Sequence, residues 1–150
     1  MAVSVIQFAQ KAFIERDGEL LLVRKSAEDP ERPSLWEVPG ERMEFGEELD
    51  AHLRREVREE VGLEIEPHAP FAIWQWTMSG RGALEGQMVQ VVAVARRCTP
   101  ISSDLSDANR VEGDFLAETE WVAASDVLSR QLIPGLIPVV ESYLQLARGD

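Results

Sequence analysis

Hydrophobic and polar positions along the first half of the chain follow two periods in turn. Val3 to Glu15 is rich in Val, Ile and Phe and predicts a strand. Arg16-Asp17-Gly18-Glu19 is a turn signal before a second apolar run, Leu20 to Val23, so the two runs predict a hairpin. Ser26 to Ser34 holds Pro30 and Pro33 among charged residues and predicts a loop. Leu35 to Val38 is short and strand-like, closed by Pro39-Gly40. Glu47 to Val61 contains neither Gly nor Pro and places Leu49, Leu53, Val57 and Val61 four apart, a helical stripe. Gly62 is the natural stop.

Strands dominate the second half. Phe71 to Met78 predicts a strand with Trp74 and Trp76 on one face. Ser79 to Gly86 is a glycine-rich loop, and Met88 to Ala95 an apolar run that predicts a strand buried on both sides. Pro100 to Gly113 is a polar loop, and Phe115 to Val122 a further strand. Ser125 is positioned to cap a short helix through Leu128. From Pro134 or Pro138 to Ala147, the residues Leu136, Val140, Tyr143 and Leu144 suit an amphipathic terminal helix. The pattern predicts a mixed α/β single domain spanning 1–150.

Composition narrows the class of partner. The chain has 150 residues, 45% hydrophobic and 28% charged, as in an ordinary globular domain able to bury a core. Its formal charge of −12 argues against nucleic acid or an anionic membrane as main partner. One cysteine, Cys98, excludes an internal disulfide and a cysteine-based zinc cluster. No apolar stretch approaches the roughly 18 residues of a membrane span, and Gln7, Gln10 and Lys11 interrupt any signal-like N-terminus. The expected location is the cytoplasm.

The charge is concentrated. Glu41 to Glu66 contains ten acids and four arginines, and Ile101 to Asp126 seven acids and one arginine, so each segment carries −6 and the remainder is neutral. On a helical wheel with Glu56 at zero, Glu60 falls at about 40° and Glu59 at about −60°. The three carboxylates share one face and adjoin the buried stripe instead of opposing it. Such a trio repels itself, and a hard oxygen-seeking cation such as Mg²⁺ removes the repulsion while engaging substrate phosphates. The alternative is a solvated acidic edge that serves solubility.

The helix belongs to a longer string: Trp36-Glu37-Val38-Pro39-Gly40, Glu44, Gly46-Glu47, then Arg55-Glu56-Val57-Arg58-Glu59-Glu60-Val61-Gly62-Leu63. It resembles the Nudix box, Gly-x5-Glu-x7-Arg-Glu-U-x-Glu-Glu-x-Gly-U with U aliphatic, over residues 41–63. Its opening glycine is replaced by Glu41. If the backbone there needed a positive φ, this residue would cost roughly 1 kcal/mol. The order of strands, Trp121-Val122 and the terminal helix extend the resemblance to most of the chain. It implies a Nudix-type α/β/α sandwich with a mixed β-sheet. It also implies hydrolysis of a pyrophosphate bond in a nucleoside diphosphate-linked substrate, using Mg²⁺ or Mn²⁺. By the same resemblance Glu56, Glu59 and Glu60 are metal ligands, and Arg55 holds Glu47 in a charge-assisted pair. The general base implied is a box glutamate or a loop acid. Alignment through Trp121 puts Phe115 where many members carry Glu, leaving Glu112, Asp114 and Glu118 as nearby substitutes.

Other residues have plainer roles beside their chemical ones. Trp36, Trp74, Trp76 and Phe8 are candidates for stacking on a base, although strand aromatics usually belong to a core. Arg24, Lys25 and Arg32 precede the box and are candidates for phosphate contact, although such charges usually face water. His52 lies on the carboxylate face, where a solvated imidazole is expected. Cys98 is expected to be an inert buried residue. The leading expectation is a nucleoside triphosphate pyrophosphohydrolase with a small-molecule substrate, and homodimers are frequent among relatives. The alternatives are a nucleotide-binding Nudix domain without turnover, disfavoured because every box acid is present, and an isoprenoid-diphosphate isomerase, which would need a reactive cysteine.

Overall fold

The computed structural model describes residues 4–149. Six strands, β1 (Ser4–Arg16), β2 (Glu19–Lys25), β3 (Trp36–Glu37), β4 (Ile65–Ser79), β5 (Met88–Pro100) and β6 (Leu116–Ala123), form a mixed sheet. Two helices, α1 (Leu49–Val61) and α2 (Ile137–Gly149), cover it. Over Ser4–Ile14, β1 runs parallel to β5, and β4 lies antiparallel at the far edge. β1 and β2 are joined by Asp17-Gly18, both at positive φ (52° and 80°), a tight turn whose twist suits a hairpin.

The hairpin opens after two residue pairs, Glu15 with Leu20 and Arg16 with Glu19. Into the gap comes the segment after β3. Val23 of β2 is registered with Glu37, whereas β1 bonds to the segment that follows, Ala12 N–H to the Pro39 carbonyl at 2.7 Å and Met43 N–H to the Phe8 carbonyl at 2.7 Å. On its other edge β2 pairs with β6.

Alternation sends strand side chains to opposite helices. Phe13, Leu20 and Leu22 pack with Val139, Val140 and Tyr143 of α2. Ile14, Leu21 and Val23 pack with Leu53, Val57 and Val61 of α1. The α/β/α layering expected from the sequence is therefore present, and the consecutive leucines of β2 are apolar because both faces are covered.

Several boundaries differ from expectation. The helix over 47–61 starts at Leu49, because Glu47 bonds back to Glu44 N–H at 2.8 Å in the preceding turn. Leu49, counted in the apolar stripe, is exposed. The strand over 71–78 begins at Ile65 and runs through Pro67 and Pro70, which are accommodated by register shifts. β5 extends to Pro100 and alternates buried with half-buried positions, since helix and loop cover one face fully and the other only in part. The segment after β6 is a 3₁₀ turn (Ala124–Ser129) entered from Ala123, with no side-chain cap from Ser125. Val3, taken as the start of the first strand, lies outside the described residues. No helix among the described residues is long and apolar enough to cross a membrane.

Candidate active site

The box loop and α1 assemble around one guanidinium. Arg55 Nε and Nη2 bond to Glu47 Oε2 and Oε1 at 2.7 and 2.9 Å, a two-pronged fit of the fork to the carboxylate. Its Nη1 lies 3.1 Å from Glu56 Oε1 and 3.2 Å from Glu59 Oε2. The hydrogen bonds from Arg55 hold the Glu47 carboxyl down at about 2. This carboxylate stays ionised throughout the physiological range, and the arginine stays charged.

Glu56 and Glu60 are different. Both are almost fully buried, 5% and 3% exposed, at the edge of the apolar stripe. Burial pushes Glu56 up to about 8, against the nearby Arg55, and the charges of Glu41, Asp114 and Glu59 push the same way. Burial likewise raises Glu60 well above the carboxylate range, with Lys11 opposing and Glu56, Glu37 and Glu41 adding to it. Glu60 Oε2 accepts the Gly40 N–H at 2.7 Å, whereas Glu56 Oε2 is buried with no hydrogen-bond partner. An orphaned carboxylate oxygen in a low-dielectric setting is costly, and a hard cation is the natural partner for it.

Gly40, just before the box, is the residue the backbone requires. It sits at φ +125°, and a Cβ there would lie 2.1 Å from the Gln10 carbonyl oxygen. Glu41 is not among the non-glycine residues with positive φ, so the replaced box glycine brings no such strain. Its charge acts on Glu56, Glu60 and Asp114.

The described residues include no group of three or more Asp, Glu, His or Cys already converged on a metal position. Arg55 draws Glu59 aside, and the Gly40 N–H draws Glu60. The donor set nevertheless fits Mg²⁺ or Mn²⁺ in kind, being all oxygen and containing one unsatisfied atom.

A cavity of about 200 Å³ is linked to Glu60 through Gly40, which bonds both to Glu60 and to Lys11 of the cavity wall; Glu47, Arg55, Glu56, Glu59 and Glu60 do not themselves line it. Its lining includes Lys11, Lys25, Glu37, Glu41 and Asp114 together with Trp74, Trp76, Met78, Arg32 and Arg81. The lining carries five basic and five acidic side chains, in contrast to the strongly acidic chain as a whole. The Trp74 and Trp76 rings lie 6.1 Å apart, with the Arg32 guanidinium 5.4 Å from the Trp76 centroid.

The sequence-derived candidates separate here. Glu47, Arg55, Glu56 and Glu59 are joined through the guanidinium, Glu60 is tied to the same region through Gly40, and Trp74 faces the cavity. Trp36 is buried in the core beneath Arg130, and Arg24 pairs with Glu118 at 2.5 Å; neither lines the cavity. Of the three loop acids, Asp114 reaches the cavity and is half-buried, with its pKa raised by burial and by Glu41, whereas Glu112 is exposed. His52 is fully buried, not solvated: Gln10 reaches its Nδ1 at 2.8 Å, and burial lowers its pKa. Its place on the wheel faces β1, not water. Lys25, expected in water, is 6% exposed.

Sequence reasoning missed Lys11, Asp29, Glu37, Arg81 and Arg110. Arg110 bonds to the Glu60 carbonyl at 2.8 Å, the Ala117 carbonyl and Thr119 Oγ1, and so clamps the second acidic segment against α1 and β6. The available signal was its isolation as the single base in a segment with seven acids. Cys98 is buried and its thiol is pushed up to about 12, the opposite of an activated nucleophile.

The raised carboxyls predict a specific pH response. The folded chain keeps protons on Glu56 and Glu60 that the unfolded chain releases near 4.5. Without metal, stability therefore falls as pH rises above about 4.5, up to about 8 for Glu56, by at most about 1.4 kcal/mol per pH unit for each group. Thermal melts in EDTA at pH 5 and pH 8 test this. Added Mg²⁺ should raise the midpoint at pH 8 by roughly 5 °C and much less at pH 5.

Comparison with known proteins accords with this geometry. The NUDIX domain model matches residues 5–143, and the chain belongs to that family. It is 28% identical over 135 residues to the CTP pyrophosphohydrolase of Escherichia coli K12, spanning 90% of this chain and 89% of that protein. A shorter match, 39% identical over 61 residues, relates it to Nucleoside triphosphatase NudI of an Enterobacter species, covering 39% of this chain and 43% of the relative. Among solved structures, a MutT protein from Methanosarcina mazei superposes with a TM-score of 0.73 at 20% identity, covering 97% and 96% of the two chains, a likeness of fold.

Proposed function

We propose that the protein is a Mg²⁺- or Mn²⁺-dependent pyrophosphohydrolase of nucleoside triphosphates, cleaving a pyrophosphate bond with water. The observation that carries the reading is the forked Arg55–Glu47 pair set beside two buried carboxylates, Glu56 and Glu60, the latter linked through Gly40 and Lys11 to a cavity of mixed charge that also holds two tryptophans. The named activities of the relatives from Escherichia coli and Enterobacter support the nucleotide class.

In this reading Glu56, Glu59 and Glu60 hold the cation. When bound, the cation activates water and offsets charge on the phosphoryl oxygens. Arg55 fixes the loop through Glu47 and ties Glu56 and Glu59 to the same guanidinium. Asp114, which lines the cavity and whose proton affinity burial raises, is the loop acid this reading assigns as general base. Trp74 supplies an apolar surface for the base. The free, buried Cys98 suits a cytoplasmic setting.

The test is turnover of a panel of nucleoside triphosphates, nucleotide sugars, dinucleotide cofactors and isoprenoid diphosphates with Mg²⁺, measuring phosphate and pyrophosphate separately. The expected result is pyrophosphate and a nucleoside monophosphate from triphosphates. Binding without any product would replace the enzyme reading by a nucleotide-binding one.

A further inference from the structure

Gln10 and Lys11 interrupt an otherwise apolar buried stretch of β1. Ala9, Ala12, Phe13 and Ile14 around them are fully buried, and Lys11 itself is 5% exposed. Burying an ammonium costs several kcal/mol unless partners compensate, so its presence in the sheet asks for a reason. Its Nζ donates to Glu37 Oε1 at 2.6 Å and to the Gly40 carbonyl at 2.6 Å. An ammonium has three N–H bonds. No described residue accepts the third, and Lys11 lines the cavity.

The surroundings set a second buried lysine beside the first, with carboxylates between and around them. The other oxygen of Glu37, Oε2, lies 3.3 Å from Lys25 Nζ, which also donates to the Asp114 carbonyl at 2.9 Å and lies 3.7 Å from Asp29. Glu37 thus bridges two buried lysines that both line the cavity. Lys11 is also one residue removed from the carboxylate centre. Gly40 offers its carbonyl to Lys11 and its N–H to Glu60.

We propose that Lys11 is an anion-binding residue of this site, donating its third N–H to a phosphate oxygen of the substrate independently of any metal. The proposal rests on the polyphosphate reading above and adds a residue to it. It answers a difficulty of charge: a chain of −12 repels a polyphosphate, and a fixed ammonium in a partly dry cavity attracts it more strongly than a surface lysine would. Glu37 and Glu41 keep that ammonium charged, since their negative charges outweigh the effect of burial on its proton affinity. The residue is therefore a permanent cation, present before the metal arrives.

The probe is inorganic triphosphate titrated calorimetrically in EDTA. Wild type is expected to bind measurably, Lys11→Met at least tenfold more weakly, and Lys11→Arg close to wild type. Binding of Mn²⁺ alone, followed by electron paramagnetic resonance, should be unchanged or tighter in Lys11→Met, because a cation beside Glu60 has been removed. Should Lys11→Met fold poorly with Glu37 left underpaired, Lys11→Met/Glu37→Gln restores neutrality and should show the same loss of triphosphate binding. Wild-type affinity for triphosphate in either folded variant overturns the proposal, as does wild type that binds none in EDTA. Turnover with Mg²⁺ is scored separately. A wild type that hydrolyses nucleotides beside a Lys11→Met of undiminished affinity would refute the lysine's role and leave the enzyme reading standing.

Discussion

Replacing Glu60 with glutamine is expected to abolish hydrolysis while leaving the fold intact or slightly stabilised. Glu60 is nearly fully buried, and burial raises its pKa well above the carboxylate range, which favours the neutral acid in the metal-free protein. Glutamine has the same shape as the protonated acid, and its carbonyl oxygen can accept the Gly40 N–H as Oε2 does now. Stability at neutral pH should thus be maintained, because a group that is costly to ionise has been made permanently neutral. The same neutrality removes one anionic donor from the proposed cation site. Loss of turnover by about 10³-fold is expected, comparable with the largest effects of deleting one charge-stabilising group. Steady-state kinetics with Mg²⁺ and a thermal melt of the same sample separate the two effects. Glu60→Gln with wild-type turnover would remove it from the metal assignment.

Arg55→Lys should be nearly as damaging by a different route. A lysine keeps the charge but cannot present two parallel donors to Glu47 and a third to Glu56 and Glu59. The Glu47 carboxyl, now held at about 2, would return towards the ordinary range, and the loop before α1 would lose its anchor. The expected cost is about 1–2 kcal/mol in stability, from charge-assisted bonds that are only partly exposed. Turnover should fall about 10²-fold, the scale of misplacing the reacting groups. Denaturant melts and kcat measurements check both figures. A kcat within threefold of wild type would show that the fork does not organise the reaction.

The parts of the fold that were legible came from periodicity. The α1 stripe of Leu53, Val57 and Val61 and the apolar run of β2 each name a buried face, and both are where expected. Fixed spacing made the box legible, and with it Glu47, Arg55 and the helix acids. Features that depend on distant neighbours were not legible. The strand expected from Phe71 starts instead at Ile65, because β5 offers a partner through Pro67 and Pro70 and bulges absorb the irregularity. His52 read as solvated because the wheel shows an angle and not what stands opposite, here Gln10 forty-two positions earlier. Lys11 carried no signal of a role, and Lys25 was a candidate for phosphate contact weighed against an ordinary place in water. Only the insertion of Trp36–Gly40 beside β1 and β2 reveals that Glu37 lies between them. Likewise Trp36 and Trp74 cannot be told apart by local pattern, yet one is core and the other faces the cavity.

The two prolines of β4 also bear on how the protein behaves in company. β4 ends the sheet, and a fifteen-residue edge is an invitation for another chain to add a strand. Proline offers no amide hydrogen, and the shifts of register around Pro67 and Pro70 bend the ribbon out of a flat template. Strand addition along the first half of this edge is thereby discouraged. The same residues that obscure the strand in the sequence help keep the folded molecule from polymerising.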